Sequence, residues 1–274
     1  MSILPNPTVT SSSHLTGTLT VRRFALLGML GIVTSSLTPA ASTKATAATV
    51  KANSTAISVA SCEDVSPSFP SDVRLRFNEA LISKLDGFAA TTVSSPRKAL
   101  PAKPAINIVI RPISKNSFAS GNVVELKLDP LSTITVLRDD ESAETTINRL
   151  RAKKLRNATL ATNRAKAAAF ALALRDWNPP VRRGSDVIGC VLAAATLLNG
   201  TERTLFIVSD LVATTDPIDA GVRLSGVKVV VIQTCTEATE CMALRSQWEQ
   251  QFRSMGATNV AFFRPEQIND SVKF

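Results

Sequence analysis

A run that is apolar on both of its faces has to be covered on both sides. Residues 227–232 (VKVVVI) form such a run, and residues 204–209 (TLFIVS) form a second. Successive side chains of a strand point to opposite faces, so neither run suits a sheet with one wet face. Both suit central strands of a parallel sheet with helices on each side. The intervening segments have helical spacing. Val73, Phe77, Ala80, Leu81 and Leu85 line one face of residues 70–88, while Leu244, Trp248 and Phe252 recur every four residues within 242–255, which Gly256 ends.

Taken in order, strands are expected at 57–60, 106–113 (INIVIRPI), 123–128 (VVELKL), 204–208, 227–232 and 259–263. A turn within 116–121 makes the second and third a hairpin, hence one antiparallel edge strand. Residues 132–137 (STITVL) are a candidate further edge strand. Residues 139–177 suit one long helix or two, ended by Asn178-Pro179-Pro180, and 187–198 suit a buried helix. Asp216-Pro217 suits a turn or the start of a short helix. The order β-α-β-β-α-α-β-α-β-α-β argues for an α/β fold with a mostly parallel central sheet and helices on both faces.

Residues 1–47 are poor in acidic side chains and rich in Ser, Thr and Ala. Arg22 and Arg23 precede an apolar run, 24–33, that is too short to span a bilayer. Small residues follow, with Ala45-Thr46-Ala47 or Pro39-Ala40-Ala41 as cleavage sites. This is the pattern of a signal peptide, and it predicts export to a periplasmic or extracellular location. Residues 48–54 are a linker by composition, 55–265 the folded domain, and 266–274 a tail.

The loop after the first strand carries Asp64, Ser66 and Ser68. Residues two apart in an extended loop aim the same way, so three oxygens converge. A hard cation such as Mg2+ takes oxygen ligands and keeps several waters. Further oxygens are available from Ser185, in a loop before a helix, and from Asp210, at the end of a buried strand. Both aspartates fall at strand carboxyl ends, where open α/β sheets bind ligands.

These pieces, D-x-S-x-S followed in order by a loop hydroxyl and a strand-end aspartate, resemble the metal-ion-dependent adhesion site of the von Willebrand factor A domain family. The resemblance covers roughly residues 55–265. Pro67 stands where that family usually has Gly, Ser185 where it has Thr, and Cys62 and Glu63 where it is usually apolar. The resemblance implies a von Willebrand A-like (Rossmann-like) sheet. It also implies Mg2+ or Mn2+ held by Asp64, Ser66, Ser68, Ser185 and Asp210, with a partner protein supplying a carboxylate to the metal.

The chain's single histidine, His14, lies in the leader, so a processed chain has none for a catalytic triad or a histidine-ligated zinc. Neither a P-loop nor G-x-G-x-x-G is present, so no nucleotide is expected. The chain is therefore expected to bind a partner and not to be an enzyme. Its formal net charge of +9 favours acidic partners. Arg149, Arg151, Lys153, Lys154 and Arg156 cluster within 139–177. That cluster suits a solvated outer helix. It also supports an alternative function, a metal-independent structural or assembly protein whose basic helix docks on acidic protein, anionic lipid or nucleic acid. No aromatic residue interleaves with the cluster, which weakens single-strand nucleic-acid binding.

Four cysteines are present. Export permits disulfides. Cys235 and Cys241 flank a short loop and make the best pair. Cys62 and Cys190 lie near the two halves of the candidate site; they either form a second bridge or remain buried thiols. No C-x-x-C spacing for zinc occurs.

Overall fold

The computed structural model describes residues 56–89, 99–118, 121–135, 142–181, 183–213, 223–235 and 238–273. The leader, the linker and Asp216-Pro217 lie outside them.

Six strands form one sheet: β1 (Ala56–Asp64), β2 (Ala105–Ile113), β3 (Val124–Leu128), β4 (Glu202–Ser209), β5 (Val227–Gln233) and β6 (Asn259–Phe263). Their spatial order is β3-β2-β1-β4-β5-β6, with every pairing parallel except the β2–β3 hairpin at the edge. This is the expected mostly parallel α/β sheet with one antiparallel edge strand. The chain moves outward from β1 in one direction and later returns to its other side as β4. The crevice above the carboxyl ends of β1 and β4 is thus the topological switch point, where sheets of this kind bind ligands.

Helices cover both faces. On one side α1 (Ser71–Ala89), α2 (Ala143–Arg175) and α5 (Ile268–Ser271) pack over Val59, Ile108, Phe206 and Val230. On the other, α3 (Val187–Ala195) and α4 (Ala238–Ser254) pack over Ala60, Leu205, Ile207 and Val229. Adjacent strand residues thus feed two separate cores, as the doubly apolar runs require. Phe77 of α1 meets Phe206 of β4 with ring centroids 5.3 Å apart.

Two expectations change, and one alternative is decided. Residues 131–134 do not form a sheet strand; they make two isolated bridges, Leu100 to Ile134 and Lys103 to Leu131. Pro101 and Pro104 flank those bridges and cannot donate to a longer ladder. Residues 143–175 form one helix, not two, capped by Ser142, whose hydroxyl accepts from the Thr145 amide at 3.3 Å. The segment after Arg264 is no loose tail. A 3-10 turn at Pro265–Gln267 leads into α5, and Ile268 and Val272 are buried in the core beneath α1.

Candidate metal centre

Asp64 is the last residue of β1 and is buried. As an even-numbered strand residue it faces the α3 side with Ala60 and Cys62, whereas Glu63 faces α1. Its carboxylate is shared among three segments. Oδ1 accepts from the Ser66 amide at 2.8 Å, which folds the loop back on itself. Oδ2 accepts from the Ser209 hydroxyl at 2.9 Å and the Ser185 hydroxyl at 3.4 Å. The loop continues with the Ser66 and Ser68 hydroxyl oxygens 3.1 Å apart, and Ser68 lines the same cleft as Asp210.

Asp210 follows β4. Its Oδ1 accepts from the Val212 amide at 2.9 Å, across Leu211, which holds a left-handed φ of 65°. Leu211 is buried, and its carbonyl accepts from the Trp248 indole N–H at 3.0 Å. That packing holds a conformation an apolar side chain otherwise avoids. Burial pushes the Asp210 carboxyl above its ordinary value, and the negative charge of Asp64 pushes it the same way. Hydrogen bonds from the Val212 amide, its own amide and Ser68 oppose them.

Ser185 is presented by a loop with two anchors. Gly184 takes φ 102°, a conformation open to glycine, and Asp186 caps α3. The Asp186 Oδ1 accepts from the Gly189 amide at 2.7 Å, and its Oδ2 from the Ser117 amide at 3.1 Å. The Asp186 amide donates to the Ser114 carbonyl at 2.9 Å. One carboxylate therefore fastens the Ser185 loop to both α3 and the turn after β2. Gly189 is required for this: a Cβ there would lie 2.0 Å from Asp186 Oδ2.

The Cys62–Cys190 disulfide joins β1 to α3 with Cα atoms 5.9 Å apart, and Cys235–Cys241 joins the end of β5 to α4 with Cα atoms 5.8 Å apart. The first lies two residues before Asp64, and α3 begins directly after the Ser185 loop, so it ties together the two halves of the site. The second borders an open cleft of about 400 Å³ beside Asp210, lined also by Ser68, Val212, Glu240 and Leu244.

The structure links Asp64, Ser66, Ser68 and Ser185 by hydrogen bonds at the switch point and sets Asp210 on the same cleft as Ser68. Sequence reasoning missed Ser209 and Asp186. The spacing Asp186-x-x-Gly189 before an apolar helix was a legible cap signal, whereas nothing distinguished Ser209 from an ordinary strand residue.

The donor set suits a hard divalent cation: two carboxylates and three hydroxyls, with no nitrogen or sulfur donor. The charge of Asp64 adds to the cost of ionising Asp210, and a cation bound there would offset it. Among the described residues no group of three or more His, Cys, Asp or Glu that could hold a metal ion occurs.

No protein-family model matches the chain, and no curated protein is significantly similar to it. Among solved structures, it is similar to an aerotolerance-related membrane protein from Bacteroides fragilis carrying multiple mutations to serine. That likeness has a TM-score of 0.38 at 12% identity and covers 78% of this chain and 98% of that one. Among the described residues no helix is long and apolar enough to cross a membrane. Two disulfides point to a non-cytoplasmic location.

Proposed function

We propose that this chain is an exported von Willebrand A-like domain that binds Mg2+ or Mn2+ and through it a partner protein. Asp64, Ser66, Ser68, Ser185 and Asp210 hold the cation, directly or through water. The bound cation supplies an electrophilic position for an anionic oxygen, which a carboxylate of the partner occupies. The domain acts as a binding module and not as an enzyme. The observation that carries this reading is the convergence of five oxygen-bearing side chains from three distant segments at one switch point. Core packing alone gives no reason to gather two carboxylates there.

Calorimetric titration of Mg2+ and Mn2+ into the purified protein tests it, with Asp64→Ala and Asp64→Asn beside the parent. One saturable site in the parent and none in either variant is the expected result, with circular dichroism unchanged. A folded parent that takes up neither ion, with or without added acetate as a carboxylate donor, would refute the reading.

A further inference from the structure

We infer that the amino-terminal half of α2 is a docking surface for an anionic lipid membrane. This stands apart from the metal reading and uses a different end of the molecule. Helix α2 runs from the amino edge of the sheet to its carboxyl edge. Asn163 exchanges hydrogen bonds with the Asp129 backbone at 2.8 and 3.0 Å, and Lys166 pairs with the Asp129 carboxylate at 2.7 Å, just past the end of β3. At the far end Arg175 pairs with Glu79 of α1 at 2.8 Å, and the Trp177 indole donates to the Asn122 carbonyl at 3.3 Å, just before β3. Because β3 is antiparallel to β2, its start lies near the carboxyl edge.

The first buried residue of the helix is Arg156, which donates to the Ser132 carbonyl. Residues 143–155 continue for about 20 Å beyond it, and none of them is buried. They extend away from the candidate metal centre, so a membrane at this end leaves Asp64 and Asp210 accessible.

The chemistry of this stretch is that of an interfacial helix. Ile147, Leu150 and Leu155 are 49%, 59% and 69% exposed. At 100° per residue they share one outward arc of about 140° with Arg151 and Lys154, both exposed. The whole helix carries eight Lys or Arg against one acidic residue, Glu144. Exposed aliphatic side chains mixed with basic ones whose stems snorkel fit the headgroup boundary of an anionic bilayer. The arc is convex and has no aromatic anchor, unlike a protein hot spot or a platform for stacked bases. Each Lys or Arg near an anionic leaflet adds attraction that salt screens.

The test is flotation of the full chain, in chelator, with vesicles of phosphatidylcholine alone or with one-third phosphatidylglycerol. The parent should partition onto the phosphatidylglycerol vesicles only, and high salt should release it. The double variants Arg151→Glu/Lys154→Glu and Ile147→Ser/Leu150→Ser should each lower the partition coefficient at least tenfold with helicity unchanged. All four positions are exposed or solvent-facing, so folding is not at stake. Failure of the parent to bind anionic vesicles overturns the proposal. So does equal binding by both variants, which would place the contact elsewhere, or retention by poly-glutamate or an oligonucleotide without vesicle binding.

Discussion

The Ser209 hydroxyl donates to Oδ2 of Asp64 across 2.9 Å, and both residues are buried at the ends of adjoining strands. The same hydroxyl accepts from the Leu211 amide at 2.9 Å, so it links the Asp64 carboxylate to the strained turn that carries Asp210. Ser209 thus organises the site from behind.

Ser209→Ala should therefore destabilise the fold by about 1.5–3 kcal/mol, the range for a hydrogen bond to a charged group. Cation binding should persist, because Asp64, Ser66, Ser68, Ser185 and Asp210 all remain. Urea denaturation in chelator gives the first quantity and calorimetry the second. Loss of cation binding in a folded Ser209→Ala protein would make Ser209 a ligand and not a support.

Glu63 points the other way from Asp64 and is fully buried under α1, where desolvation raises its pKa from 4.5 to about 8 against the opposing charge of Arg74 and hydrogen bonds from Ser61 and Asn78. The Ser61 hydroxyl donates to Oε1 at 3.2 Å, and the Asn78 amide nitrogen reaches Oε1 at 3.0 Å. Between pH 4.5 and 8 the folded protein keeps a proton that the unfolded chain has released. The contribution of Glu63 to stability is then fully present at or below pH 4.5 and falls by about 1.4 kcal/mol for each pH unit up to 8. Glu63→Gln should flatten that slope and be more stable than the parent at pH 8. Urea midpoints at three pH values decide it; identical slopes in the two proteins would mean that Glu63 is ionised in the fold.

Gly189→Ala should cost about 1–2 kcal/mol, comparable to losing a helix cap, because the new methyl collides with Asp186. Asp186→Ala should cost a similar amount, and the double variant little more, since both break one cap. Because the cap also fixes Ser185, both variants should weaken Mg2+ binding while leaving thermal unfolding cooperative. Additive losses in the double variant would show that Gly189 and Asp186 act separately.

The spatial order of the strands was not read from the sequence, whereas the succession of elements along the chain, the edge hairpin and the convergence of Asp64, Ser185 and Asp210 were all legible in it. Their signals are local: doubly apolar runs, a D-x-S-x-S loop, an aspartate at a strand end. What escaped was set by long-range packing. Ser209 is distinguished only by what lies across from it on β1. The tail became part of the core because Ile268 and Val272 find apolar partners beneath α1, which four residues of helix do not reveal in isolation. Glu63 was legible only as a charged residue in an apolar strand; its protonation comes from burial under α1, a long-range consequence of packing that Arg74, Ser61 and Asn78 only partly oppose.

The two disulfides differ most in the chain they close. Cys62 and Cys190 are 128 residues apart, Cys235 and Cys241 only six. If cross-links act chiefly by restricting the unfolded chain, the long loop is worth about 5 kcal/mol and the short one about 2. Paired Ala variants measured in urea should reproduce that order. Cys62→Ala/Cys190→Ala should also weaken Mg2+ binding, because β1 and α3 present Asp64 and Ser185 from opposite sides of that bond. Cys235→Ala/Cys241→Ala leaves all five proposed ligands anchored as before and should bind the ion like the parent. It alters the cleft wall beside Asp210 instead, so its effect should fall on the partner. Reversal of the two, with metal binding lost only in the short-loop variant, would move the centre from the β1–α3 junction toward β5 and α4.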